Sequence, residues 1–108
     1  MQDITTKNIS TIDLINAKNS QAFKDLTPED VIPIHGAAIS TDPEDGKQYG
    51  YIWSEYGECY AGNSATIMDQ ISLLVGLIDA GEKIDMSVIK RTSKGGKEFL
   101  SLKLTARS

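Results

Sequence analysis

The sequence predicts a mainly β domain of the α+β class, with five strands and one long helix between the third and fourth. Three observations lead there. Short segments with period-two alternation are separated by single Gly or Pro residues; only one stretch carries apolar residues at helical spacing; and 108 residues is the length of one domain with one core. A composition of 40% hydrophobic and 24% charged residues is that of a folded chain rather than a disordered one. The expected organisation is a single domain over 1–108, with an N-terminal extension over 1–30 and a core over 31–105.

The extension opens on Ile9-Ser10-Thr11-Ile12-Asp13-Leu14-Ile15, whose β-branched residues and partial alternation predict a strand. A short helical turn is expected around Ser20 to Leu26, and Thr27-Pro28-Glu29-Asp30 carries a one-turn helix start that Val31-Ile32-Pro33-Ile34 stops. The first core strand then runs to about Ser40. A hairpin follows, Tyr49 to Glu55 and Glu58 to Gly62 about a two-residue loop Tyr56-Gly57, with Gly57 supplying the positive φ. That register pairs Trp53 with Tyr60 and sets Tyr49, Tyr51, Trp53 and Tyr60 on one face, with Ile52, Cys59 and Ala61 on the other.

The helix is predicted from Ile67, Ile71, Leu74, Val75 and Ile78, capped by Asn63 or Ser64 and closed by Gly81. Leu73 and Leu77 widen its expected apolar face, and Gly76 is read as a point of close backbone approach. Two long strands, Lys83 to Thr92 and Lys97 to Thr105, flank the tip Ser93-Lys94-Gly95-Gly96. Ile84, Met86, Val88, Leu100, Leu102 and Leu104 form their apolar face; Ile89, Arg91, Lys97, Phe99, Ser101 and Lys103 form the other. Strand, strand, strand, helix, strand, strand is the order of an OB-fold, a partly open five-stranded barrel; a helix across a plain curved antiparallel sheet is the competing architecture.

Charge is divided along the chain. Residues 1–82 hold four lysines against thirteen acids, whereas residues 83–108 hold seven bases against Asp85 and Glu98. A basic C-terminal segment suits an anionic partner. Catalysis is not expected: one histidine and one cysteine supply neither a zinc site nor a nucleophile with its base, and no phosphate-loop or Gly-x-Ser-x-Gly spacing occurs. His35 is read as a half-buried strand residue and Cys59 as a buried structural thiol. No cofactor, metal or small-molecule substrate is expected. No apolar run reaches a bilayer's thickness and Met1-Gln2-Asp3 lacks a basic signal start, so a cytoplasmic location without membrane contact is expected.

Sequence-tolerant binding of single strands needs aromatic rings for base stacking and cations for phosphates. Tyr49, Tyr51, Trp53 and Tyr60 are the candidate platform, the pattern being equally compatible with Trp53 and Phe99 exposed or in the core. Phe99 adds a ring beside Lys90, Arg91, Lys94, Lys97 and Lys103. The block Tyr49-Gly-Tyr-Ile-Trp-Ser-Glu-Tyr-Gly-Glu-Cys-Tyr60, the helix after it and Arg91-Thr-Ser-Lys-Gly-Gly-Lys-Glu-Phe-Leu-Ser-Leu102 together resemble single-stranded-DNA-binding proteins encoded by tailed phages of Gram-positive bacteria. The resemblance implies a protein of the host cytoplasm that coats and protects displaced strands during phage DNA replication; a homo-oligomer is compatible with the sequence, which does not set the oligomeric state. The ending Thr105-Ala106-Arg107-Ser108 departs from the acidic tail by which bacterial relatives recruit partners, so recruitment through a tail is not expected. The alternative is a small acidic phage or mobile-element protein that inhibits a host protein by mimicking nucleic acid.

Overall fold

The computed structural model describes residues 2–17 and 20–107. Its elements are β1 (Ile4–Thr5), α1 (Thr11–Asn16), β2 (Gln21–Ala22), a 3₁₀ turn (Phe23–Asp25), β3 (Ile32–Thr41), β4 (Gln48–Ser54), β5 (Cys59–Gly62), α2 (Ala65–Asp79), β6 (Ile84–Thr92) and β7 (Glu98–Ala106). The strands form a curled open sheet in the order β2-β5-β4-β3-β6-β7, with β1 added on β3. The long strand β3 turns the sheet: Ile34 to Thr41 pair with β4, whereas Ile32 and Pro33 pair with β6. Within the stretch paired with β4 the register slips at His35, an extra residue that bends the strand. His35 is exposed there, not half-buried, because a bulged residue leaves the pleat that would have turned it inward.

One apolar core fills the curl. Ile67, Met68, Ile71, Leu74 and Val75 of α2 pack on Ile34, Ala37, Ile39, Ile52, Met86, Val88 and Leu102. The helix starts at Ser64, whose hydroxyl accepts the Ile67 amide, so that cap is as expected. The breadth of its apolar face is not. Leu73 is 72% and Leu77 44% exposed, so the buried stripe is the narrower one through Ile67, Ile71, Leu74 and Val75. Nor does Gly76 admit a neighbour, since a Cβ there would meet open space. Close approach occurs instead at Gly50, where a Cβ would lie 2.5 Å from Ile71 Cδ1 and 3.1 Å from Met68 Sδ. The helix rests on β4 through that missing side chain.

The segment 9–15 does not form the expected strand but leads into and contains most of the helix α1, Thr11–Asn16. Ser10 accepts the Asp13 amide at 3.1 Å and Asp13 accepts the Ser10 amide at 2.9 Å, a reciprocal capping box that satisfies two donors at the start of α1 and overrides the β preference of its isoleucines. The N-terminal residues belong to the same body as the rest. Thr5 pairs with Ala38, and the Thr6 amide donates to the Ala37 carbonyl. Ile9, Leu14 and Ala17 then cover Ala38 and Trp53, making a second small core on the outer side of the sheet. Gly36 permits this crossing, because a Cβ there would lie 2.6 Å from Ile9 Cδ1 and 2.9 Å from Thr6 Oγ1.

Helix α2 also covers the outer edge of β7. The Gln70 side chain donates to the Leu102 carbonyl at 2.7 Å and accepts the Leu102 amide at 2.8 Å, standing in for one residue of a missing neighbouring strand. Among the described residues no helix is long and apolar enough to cross a membrane.

Candidate nucleic-acid interface

The β4–β5 hairpin sets which rings face solvent. Its loop has three residues, Glu55-Tyr56-Gly57, rather than two: the Gly57 amide donates to the Ser54 carbonyl, and the Ser54 amide to the Glu58 carbonyl. Gly57 takes φ +89°, and Ser54 Oγ accepts the Tyr56 and Glu58 amides. This is a turn followed by a left-handed glycine, and Ser54 is what selects it. One added loop residue moves the pairing by one, so Trp53 faces Cys59, Ile52 faces Tyr60 and Tyr51 faces Ala61. A slip of one residue turns a strand over. Tyr60 is therefore on the core face, 4% exposed, with its ring centroid 6.3 Å from that of Phe23.

The remaining rings of β4 share the outer face, but not as an open platform. Trp53 is 8% exposed beneath Ile9 and Ala17, and its centroid lies 6.0 Å from that of half-buried Tyr51. Tyr49 donates its hydroxyl to Asp45 at 2.8 Å. The depression beside Tyr49 and Tyr51, about 320 Å³, is lined also by Asp42 and Glu44. Carboxylates there oppose a phosphate. Cys59, on this side, is half-buried; burial pushes its thiol up, a hydrogen bond from Ser20 opposes that, and Asp13 adds to the rise. A thiol so placed is poorly nucleophilic.

The β6–β7 hairpin is different. Its tip repeats the three-residue geometry, with the Gly96 amide donating to Ser93, the Ser93 amide to Lys97, and Gly96 at φ +82°. The expected apolar face holds: Ile84, Met86, Val88 and Leu102 are buried, with Leu100 and Leu104 packed at the margin. Arg91 pairs with Phe99, Ser87 with Lys103 and Lys90 with Leu100, so Arg91, Phe99 and Lys103 occupy one face while Lys90 stands on the other near the tip. Lys94 and Lys97 bracket the turn. All five cations are exposed, and among the described residues none forms an ion pair. Phe99 is 38% exposed among them.

Curling of the sheet brings its two ends to one groove. Ala22, Phe23 and Lys24 on one side, Ala61 to Ser64 below and Glu98 to Leu100 opposite enclose about 480 Å³. A smaller hollow of about 240 Å³, lined by Lys24, Lys90, Glu98, Phe99 and Leu100, continues it onto the hairpin. Lys24 and Asn63 were not among the expected site residues, since they stand in unpatterned segments and only the curl sets them opposite Phe99. The anchoring of the hairpin base is likewise tertiary: Arg107 binds Glu55 at 2.9 Å and Asp85 at 2.8 Å. Both carboxylates hold its guanidinium protonated.

Comparison with protein-family models, with characterised proteins and with solved structures gives no match to this chain.

Proposed function

We propose that this domain binds single-stranded DNA along the β6–β7 hairpin, with phosphates on Lys90, Arg91, Lys94, Lys97 and Lys103 and a base against Phe99. The observation that carries this reading is the set of five exposed cations, without ion-pair partners among the described residues, gathered with a solvent-facing ring on one hairpin of an otherwise acidic chain. Arg107 is neutralised by two carboxylates of the chain itself, whereas cations without such partners leave their charge uncompensated for an external anion. We also read the architecture as OB-like. The order β5-β4-β3-β6-β7 with α2 between β5 and β6 is that of a five-stranded Greek-key barrel left open between β5 and β7. Coating of displaced strands in phage replication, the role the sequence resemblance implies, fits such a binder.

A titration of oligo-dT at several salt concentrations tests the reading. Affinity should fall with salt with a log–log slope near −0.7 per phosphate engaged, and Lys94→Glu with Lys97→Glu should make that slope shallower by more than about 1. Binding that salt leaves unchanged would remove the phosphate contacts and the proposal with them.

A second reading draws on an acidic depression beside β5. Asp25, Asp30 and Glu58 line a depression of about 390 Å³ together with Tyr56, which is 76% exposed. A protein inhibitor that mimics nucleic acid would use such acids against a basic host protein. It would show no response to oligo-dT.

A further inference from the structure

We infer that the groove between β5 and β7 is a slot for one unstacked base of the bound strand, with the neighbouring phosphates on Lys24 and Lys90. This rests on the single-stranded-DNA reading above and adds to it a site on a different part of the surface from the β4–β5 face. The groove's volume, about 480 Å³, lies within the ~300–1,000 Å³ of small-ligand sites. Its lining is flat or small: the part-exposed ring of Phe99 on one side, and the buried edge of Phe23 with Ala22, Ala61 and Gly62 at its base. Gly62 lets the Phe23 ring seat directly against β5 at the base of the groove, since a Cβ there would lie 2.8 Å from Phe23 Cδ2.

Charge selects the occupant. Lys24 lines both the groove and its continuation, Lys90 lines the continuation, and neither has an ion-pair partner among the described residues. An apolar slot with a free cation on its rim suits a ring attached to a phosphodiester better than an aliphatic or acidic peptide side chain. Glu98, the one carboxylate on the lining, accepts hydrogen bonds, and each of the four bases offers an N–H to such a group. Asn63 at the groove floor can donate or accept.

The test compares oligo-dT with a sugar-phosphate strand of the same length lacking bases, using the full chain. The intact protein should prefer oligo-dT by roughly five- to one-hundred-fold, the span of one stacking contact. Phe99→Ala should reduce that preference at least several-fold, and Asn63→Leu, which narrows the slot from an exposed position, should do the same. Lys94→Glu should weaken both strands while leaving their ratio in place. Equal affinity for the two strands, or an unchanged ratio in both groove variants, would overturn the slot while leaving the phosphate-binding hairpin standing. Absence of affinity for either strand would overturn both. A concentration-dependent rise in the mass of the free protein that Phe99→Ala abolishes would give the groove to a second copy and overturn the slot.

Discussion

Gly36→Ala isolates the crossing of the N-terminal segment over β3. The backbone at Gly36 does not take a positive φ, so alanine meets no conformational penalty and the effect is steric. Its methyl would sit 2.6 Å from both Cγ1 and Cδ1 of Ile9 and 2.9 Å from Thr6 Oγ1. Thr6 has little freedom to yield. Its hydroxyl donates to Asn8 at 2.9 Å and accepts the Ala37 amide, close to the bulge, at 3.2 Å, and Asn8 in turn donates to the His35 carbonyl at 2.8 Å. Relief must therefore come from Ile9, which is buried over Trp53. Forcing a methyl into a filled site of this kind costs about 1–3 kcal/mol, which lowers a urea midpoint by roughly 1–2 M. Urea unfolding followed by fluorescence is a direct assay, because Trp53 is the only tryptophan and lies in this second core. Ile9→Ala alone should cost about 2–5 kcal/mol. The double variant should be less destabilised than the two losses combined, by about 1 kcal/mol or more, since Ile9→Ala removes the atoms the new methyl strikes. Strict additivity would refute the proposed contact.

Other expectations separate buried rings from the exposed one. Trp53→Ala should destabilise the fold by about 3–5 kcal/mol, whereas Phe99→Ala should change stability by no more than about 1 kcal/mol; denaturation curves of the pair check this, and a stable Trp53→Ala protein would contradict its burial. Gln70→Leu strands the amide and carbonyl of Leu102 at the β7 edge, so a loss of about 1–3 kcal/mol is expected in the same assay, along with faster amide exchange at Leu102. Burial first, then its 2.5 Å hydrogen bond to Glu58, push the Tyr60 phenol from 10.0 up to about 12. The folded chain thus keeps that proton after the unfolded chain has released it. Stability is complete below pH 10 and falls between pH 10 and about 12 by up to about 2–3 kcal/mol; Tyr60→Phe should remove this part of the alkaline loss, and an unaltered pH curve would show the phenol to be unperturbed.

Much of the secondary structure was legible before the fold. Period-two alternation located β3, β4, β6 and β7 and separated the buried face of the last hairpin from its cationic one, because a strand's two faces are written directly into alternate residues. Helical spacing and Ser64 located α2. The errors have local causes that a pattern does not resolve. Isoleucines near Ser10 look like a strand until the capping box with Asp13 is recognised. Ser54 and Gly57 are compatible with a two- or a three-residue loop, and that single residue decides whether Tyr60 lies outside with Trp53 or inside with Phe23.

The sequence by itself determined the class of the domain, its one long helix, the division of charge between its ends and the basic, partly aromatic character of the last hairpin. Those properties are set by neighbours in the chain. Tertiary structure decided which rings meet solvent: the crossing at Gly36 lays Ile9 and Ala17 over Trp53, and the curl of β3 brings Lys24 and Asn63 to Phe99 across about 75 residues of chain or fewer. Exposure depends on what covers a residue, and the covering groups here come from segments distant in sequence, whose contacts no local periodicity records.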